Sequence, residues 1–181
     1  MKLKHTCLAT AAVVLLAHCQ KNDQAAAPPG DSAPAAPSAA LMTVIDAAPS
    51  GEPKAIHVIR ETAKPGDVIT VSGRVMGNVS PFVEGRSAFI LGDPEVLTPC
   101  NENPDDECET PWDVCCDSAK DKKRGTATIQ VVDADGRVLK EGIEGVGGIE
   151  KLATLTIAGT VAEGSTPELL VINATAIDVA P

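Results

Sequence analysis

Apolar and polar side chains alternate along five runs between residues 68 and 177. VITVSGRV (68–75) sets Val and Ile against Thr, Ser and Arg, which predicts a half-buried strand. SAFIL (87–91), TATIQVV (126–132), ATLTIAGTV (153–161) and ELLVINATAI (168–177) predict four more. Lys64-Pro65-Gly66-Asp67 reads as a turn ahead of the first strand. Asp133-Ala134-Asp135-Gly136-Arg137 reads as a second turn, leading into a short strand at Val138-Leu139. Before the strands, PKAIHVIRETA (53–63) spaces Ala55, Ile59 and Ala63 four apart with Ile56 alongside. That pattern predicts a short amphipathic helix opened by proline, with a strand through Ile56 and Val58 as the alternative. KEGIEGVGGIEKL (140–152) carries four glycines, each opposing a helix by about 1 kcal/mol relative to alanine, so a loop or one irregular turn is expected.

Five strands with a glycine inside the first and another inside the fourth point to a closed barrel. A barrel bends its first strand sharply, and Gly73 accommodates a bend or bulge; Gly159, in TIAGTV, serves the same purpose. The alternative is that each glycine marks a close backbone approach. The segments ITVSGRV, FIL followed by GD, LTIAGTV and LLVINATAI together resemble the OB-fold, in particular exported bacterial OB-like domains. The resemblance spans roughly residues 66–179 apart from a cysteine-rich segment. It implies an all-β, five-stranded OB-fold-like barrel with a short preceding helix and a cysteine-rich loop insert. OB-folds bind oligonucleotides or oligosaccharides on one face, but a fold does not by itself carry an activity.

The N-terminus has the layout of an export signal: Lys2 and Lys4, then an uncharged apolar run from Cys7 to Ala17. That run falls short of the about 20 apolar residues of a spanning helix. Leu16-Ala17-His18-Cys19 resembles the lipobox of bacterial lipoproteins, which implies that Cys19 receives lipid and becomes the mature N-terminus. Ordinary cleavage near 25–27 is the alternative. Residues 24–40, QAAAPPGDSAPAAPSAA, lack the large apolar side chains needed to offset ordering. In extended polyproline form such a tether reaches about 50 Å. The expected organisation is therefore a signal peptide at 1–18, a lipid-anchored linker at 19–40, and an OB-like domain at 41–181 with the insert at 94–124.

Composition narrows the function. The chain of 181 residues has a formal net charge of −10, no Tyr, two Phe and one Trp. Single-strand binding needs a positive groove and stacking aromatics, so nucleic acid is not an expected partner. Arg60, Lys64, Arg74 and Arg86 are read as solvated scatter rather than a basic face, and Phe89 as core. Pro81-Phe82-Val83-Glu84-Gly85-Arg86 falls in a loop at the barrel mouth, which makes Phe82, Glu84 and Arg86 candidate binding residues. Once a signal peptide is removed, His57 is the only histidine, so histidine-based triads have little to draw on.

The most distinctive chemistry is PCNENPDDECETPWDVCCDS (99–118). Its cysteines, Cys100, Cys108, Cys115 and Cys116, are separated by seven, six and zero residues. In an exported chain an even set in a loop-rich segment suggests disulfides. Bonding Cys115 to Cys116 would strain the peptide between them, so Cys100 with one and Cys108 with the other is expected, in either combination. Zinc sites favour short C-x2-4-C knuckles and thiol oxidoreductases favour C-x-x-C, and neither spacing occurs. The acids Glu102, Asp105, Asp106, Glu107, Glu109, Asp113 and Asp117 do not follow the EF-hand pattern and are read as a solvated acidic loop. Trp112 packs under the staple or presents itself to a partner, and joins the candidate binding residues.

These observations predict a non-enzymatic cell-envelope lipoprotein, facing the periplasm, whose OB-like module binds a protein or glycan partner. No metal or cofactor is expected. The alternatives are a metal-binding envelope protein that uses the Cys/acidic insert, and an envelope enzyme that uses a carboxylate pair.

Overall fold

The computed structural model describes residues 36–103 and 108–181. The signal sequence, Cys19, most of the linker and Asp105, Asp106 and Glu107 lie outside the described residues. Element order is α1 (Ala39–Ile45), β1 (Lys54–Ala55), α2 (Ile56–Thr62), β2 (Val68–Val75), β3 (Ala88–Gly92), α3 (Ala119–Gly125), β4 (Thr126–Gln130), β5 (Thr154–Val161) and β6 (Val171–Val179).

The strands form one mixed sheet in the order β1-β2-β3-β4-β6-β5, and β2 pairs with β5 to close five of them into a barrel. All barrel neighbours are antiparallel except β4 and β6, which run parallel. This is the all-β, OB-fold-like barrel that the resemblance implies. The expected strands at 68–75 and 153–161 match β2 and β5 almost residue for residue. The expected Val138-Leu139 strand is reduced to a single bridge between Val132 and Val138.

Both strand glycines sit where backbones meet. β2 pairs with β5 from Val68 to Arg74 and with β3 at Arg74 and Val75, so it changes partner just after Gly73. A Cβ on Gly73 would lie 2.7 Å from the Gly92 carbonyl oxygen. On β5, the register with β6 shifts between Ala158 and Gly159, and a Cβ on Gly159 would lie 2.5 Å from the Asn173 carbonyl oxygen. The bend and the close approach are thus one feature: the sheet turns there because no side chain holds it off.

The core is built from β-branched and leucine side chains, among them Val71, Val75, Leu91, Ile129, Leu155, Ile157 and Ile172, with Phe89 as its one fully buried ring. Three irregular pieces complete it. Helix α2 buries Ile56 and Ile59, as the helix reading of 53–63 expects, but it opens at Ile56 rather than at Pro53; Ile56 and Val58 are helical, and the only strand there is Lys54–Ala55, which pairs in parallel with Val71 and Ser72. Residues 140–152 form a loop with one 3-10 turn at Val146–Gly148, as the glycines require, and contribute buried Ile143 and Ile149. Helix α1, which the Ala-rich composition concealed, starts at Ala39, is capped by Ser38, and buries Leu41 against the same core. Ser38 also donates its N–H and hydroxyl to the Glu141 carboxylate, which ties the start of α1 to the 140–152 loop.

Overpacking at these crossings is the expected weak point of the fold. Gly159→Val should lower stability by about 1–3 kcal/mol, read as a reduced urea midpoint with an unchanged slope. Gly164→Ala, where a Cβ meets nothing within 4 Å, should stay within about 0.5 kcal/mol of the parent.

Candidate functional site

The loop joining β2 to β3 folds back on the sheet. The Val83 N–H donates to the Ala88 carbonyl, the Arg86 N–H to the Val83 carbonyl, and the Ile90 N–H to the Pro81 carbonyl. Gly85, at φ +63°, allows the tight reversal. Beyond β4, the 133–137 turn is closed by Asp133, whose carboxylate accepts the N–H groups of Asp135 and Arg137 and the Arg137 Nε. Those bonds, the Arg137 N–H foremost, hold the Asp133 carboxyl below its ordinary range. Arg137 is also paired with Asp135, so its charge is largely committed.

Between this loop and this turn lies a groove of about 810 Å³ across β3 and β4. Its floor includes Thr128 and Gln130, its apolar wall Val83, Val138 and Leu139, and its cationic rim Arg86 and Lys140. Among the described residues, Arg86 and Lys140 make no ion pair. Gln130 donates to Asn173 at 2.7 Å, and both line a neighbouring depression of about 450 Å³ beside Glu163. The face is therefore polar along its strands and cationic at one edge. In OB-folds this is the ligand face, formed by the second and third barrel strands.

The four side chains named as binding candidates do not form one cluster. Arg86 lines the groove and Glu84 is exposed on the same loop. Phe82 turns inward, with its ring 5.9 Å from that of Phe89. Trp112 is half-buried in the insert, where its Nε1 donates to the Val79 carbonyl at 2.9 Å and Lys151 Nζ stands 4.7 Å from its ring. Arg60 donates to the Thr126 and Pro167 carbonyls, and Arg74 to Leu152 and Glu102, so neither contributes to a basic face. Burial lowers the Arg60 pKa, with the nearby Glu168 charge opposing.

The insert has a small core of its own. Leu97 and Val114 are buried with Met76 in a second small core, flanked by Val96 and Leu152. The Cys100 N–H donates to the Asp113 carbonyl and the Asn101 N–H to the Pro111 carbonyl, so residues 100–101 run beside 111–113. The Thr98 N–H donates to the Asp117 carboxylate. Helix α3 then opens on Ser118, whose hydroxyl accepts the Asp121 N–H, and leads directly into β4. This pairing brings the cysteine sulphurs together: Cys115 Sγ stands 3.0 Å from Cys108 Sγ and 3.5 Å from Cys100 Sγ, and among the described residues no pair is at the about 2.05 Å of a disulfide.

One polar pair had no signature in the sequence. Asp93, fully buried just after β3, accepts the His57 backbone N–H at 2.9 Å and bonds His57 Nδ1 at 2.8 Å. A carboxylate oxygen accepts, so the contact is drawn as Nδ1–H donating to Asp93. An imidazole oriented this way resembles the base half of a hydrolytic site. His57 lines neither the large groove nor the 270 Å³ depression at Arg60, however. Ala55, at the cap position of α2, makes no side-chain cap bond, so the Asp93 carboxylate caps the helix from another element. The pair lies 36 residues apart, too far for any local spacing to reveal it. Comparison of the chain with protein-family models, curated proteins and solved structures finds no match.

Asp93→Ala would leave the His57 and Glu95 N–H groups without their acceptor. A loss of about 3 kcal/mol is expected in chemical denaturation. Hydrogen exchange should show α2 and the 94–97 turn opening first.

Proposed function

We propose that the chain is a non-enzymatic cell-envelope lipoprotein whose OB-like domain binds a protein or glycan partner on the β3–β4 face. In this reading the signal at 1–18 is removed, Cys19 carries lipid, the tether is shortened from 19–40 to 19–35 because Ser38, Ala39 and Ala40 belong to α1 and its cap, and the domain faces the periplasm. The groove with Arg86 and Lys140, which make no ion pair among the described residues, carries the proposal: its volume lies in the range of ligand sites, and its floor offers amide and hydroxyl groups. An extended partner with carboxylates suits that rim. Nucleic acid does not suit it, because the chain is strongly acidic and Phe82 and Phe89 are turned toward each other. The reading does not depend on a disulfide staple, since the insert has its own small core.

The test offers solubilised envelope proteins and cell-wall glycan fragments to the immobilised mature chain, then measures the affinity of whichever binds. Arg86→Glu combined with Lys140→Glu should weaken binding about tenfold or more, with a smaller salt dependence and an unchanged circular dichroism spectrum. Equal affinity in the double variant, or tight salt-sensitive retention of single-stranded DNA, would reject the proposal. Mass spectrometry of the mature N-terminus checks the anchor, and an unmodified start beyond Cys19 would remove it.

A further inference from the structure

The sulphur cluster has a geometry that pairwise bonding does not account for. Cys115 Sγ has three sulphurs around it, at 3.0 Å (Cys108), 3.5 Å (Cys100) and 3.7 Å (Cys116). Those of Cys100, Cys108 and Cys115 all lie within 4.8 Å of one another. A disulfide uses two sulphurs and gives no reason for a third to converge on them. A metal ion does: thiolates bound at about 2.3 Å on a tetrahedron stand about 3.8 Å apart. The Cys100–Cys115 and Cys108–Cys115 edges, 3.5 and 3.0 Å, are both shorter than that and open by a few tenths of an ångström and by about 0.8 Å as an ion enters.

We propose that Cys100, Cys108 and Cys115 form a three-thiolate site for a soft divalent cation of the zinc class. The absence of knuckle spacing in the sequence is offset by the fold, because the 100–101 and 111–113 pairing does the work that a short knuckle does elsewhere. Cys100 is buried at the base of the site and Cys115 is exposed, so the fourth coordination position faces solvent. Cys116 follows Cys115 directly and stands outside the mutual triangle, so it is not a ligand. The neighbouring carboxylates are hard donors suited to calcium or magnesium, whereas three thiolates select a soft ion. Binding exchanges three thiol protons for one divalent cation, which leaves one net negative charge on the site. Lys122 Nζ, donating to the Cys115 carbonyl at 3.0 Å, places a cation beside that charge.

The experiment uses the full chain, purified without oxidant, with Cd²⁺ as the probe. Charge transfer from thiolate to cadmium is read in the ultraviolet, and Zn²⁺ affinity is measured against a chromophoric chelator. One equivalent should bind, and three thiols should become protected from alkylation. Cys115→Ser and Cys108→Ser should each lower affinity at least about 100-fold, more than loss of an outer hydrogen-bond partner brings. Cys116→Ser should stay within about threefold of the parent. Circular dichroism of each variant separates loss of ligand from loss of fold, and the exposed Cys115 is the more secure of the two positions. Absence of a charge-transfer band in the reduced chain would overturn the site, and so would a Cys116→Ser variant as weak as Cys115→Ser.

Discussion

A buried carboxylate with nowhere to send its charge organises one end of this barrel. Asp93 has no exposed surface, and burying such a group costs several kcal/mol unless hydrogen bonds replace the lost water. Two segments meet this requirement together. His57 brings its backbone and ring N–H from α2, and the Glu95 N–H closes the turn into the insert on the second carboxylate oxygen. The Asp93 N–H donates to Gly125 at the end of α3, and its carbonyl accepts from Val96 and Leu97. A seven-residue helix such as α2 is marginal alone, so its position follows from this anchor and from Ile56 and Ile59. The start and end of the insert are fixed at the same residue.

That anchoring is what lets a small barrel with few aromatics carry a long insertion. The core gains its burial from many β-branched side chains, which suit a pleated surface but leave little volume to spare. Glycines at positions 73 and 159 let neighbouring strands approach until those side chains meet. The loops are then held by specific bonds rather than by bulk. Leu152 shows the cost: it takes φ +68°, an unfavourable region for leucine, while its side chain joins Met76, Leu97 and Val114.

The barrel was legible in the sequence because alternation is a local signal that records which face of each strand is buried. The same reasoning found the turn at Lys64–Asp67 and the irregular 140–152 segment, where glycine chemistry is equally local. Helix α1 escaped notice because AALMTVI continues an alanine-rich stretch, and only Leu41 is fully buried. Helix α3 left a fainter trace, Ser118 three residues before Asp121, a capping arrangement hidden behind the cysteines. The Asp93–His57 pair and the sulphur cluster depend on contacts between segments far apart in the chain, and spacing alone does not encode them. Trp112 shows the intermediate case: packing was one of its two readings, but its partner, the Val79 carbonyl, belongs to another loop.

The contacts of Trp112 explain how the insert and the β3–β4 face belong to one device. The Gly77 N–H donates to the Trp112 carbonyl and Trp112 Nε1 donates to Val79, so the insert grips the first residues of the β2–β3 loop. The last residues of that loop are gripped by the sheet, where Ser87 donates its N–H to Leu139 and accepts the Val131 N–H. Arg86 and Val83 line the groove between these two clamps. A loop free at either end would lose conformational entropy on holding a ligand, whereas one fixed at both has already lost it. The acidic, cysteine-rich insert thus has a mechanical role that its composition does not suggest: it fixes the loop that supplies the cationic rim.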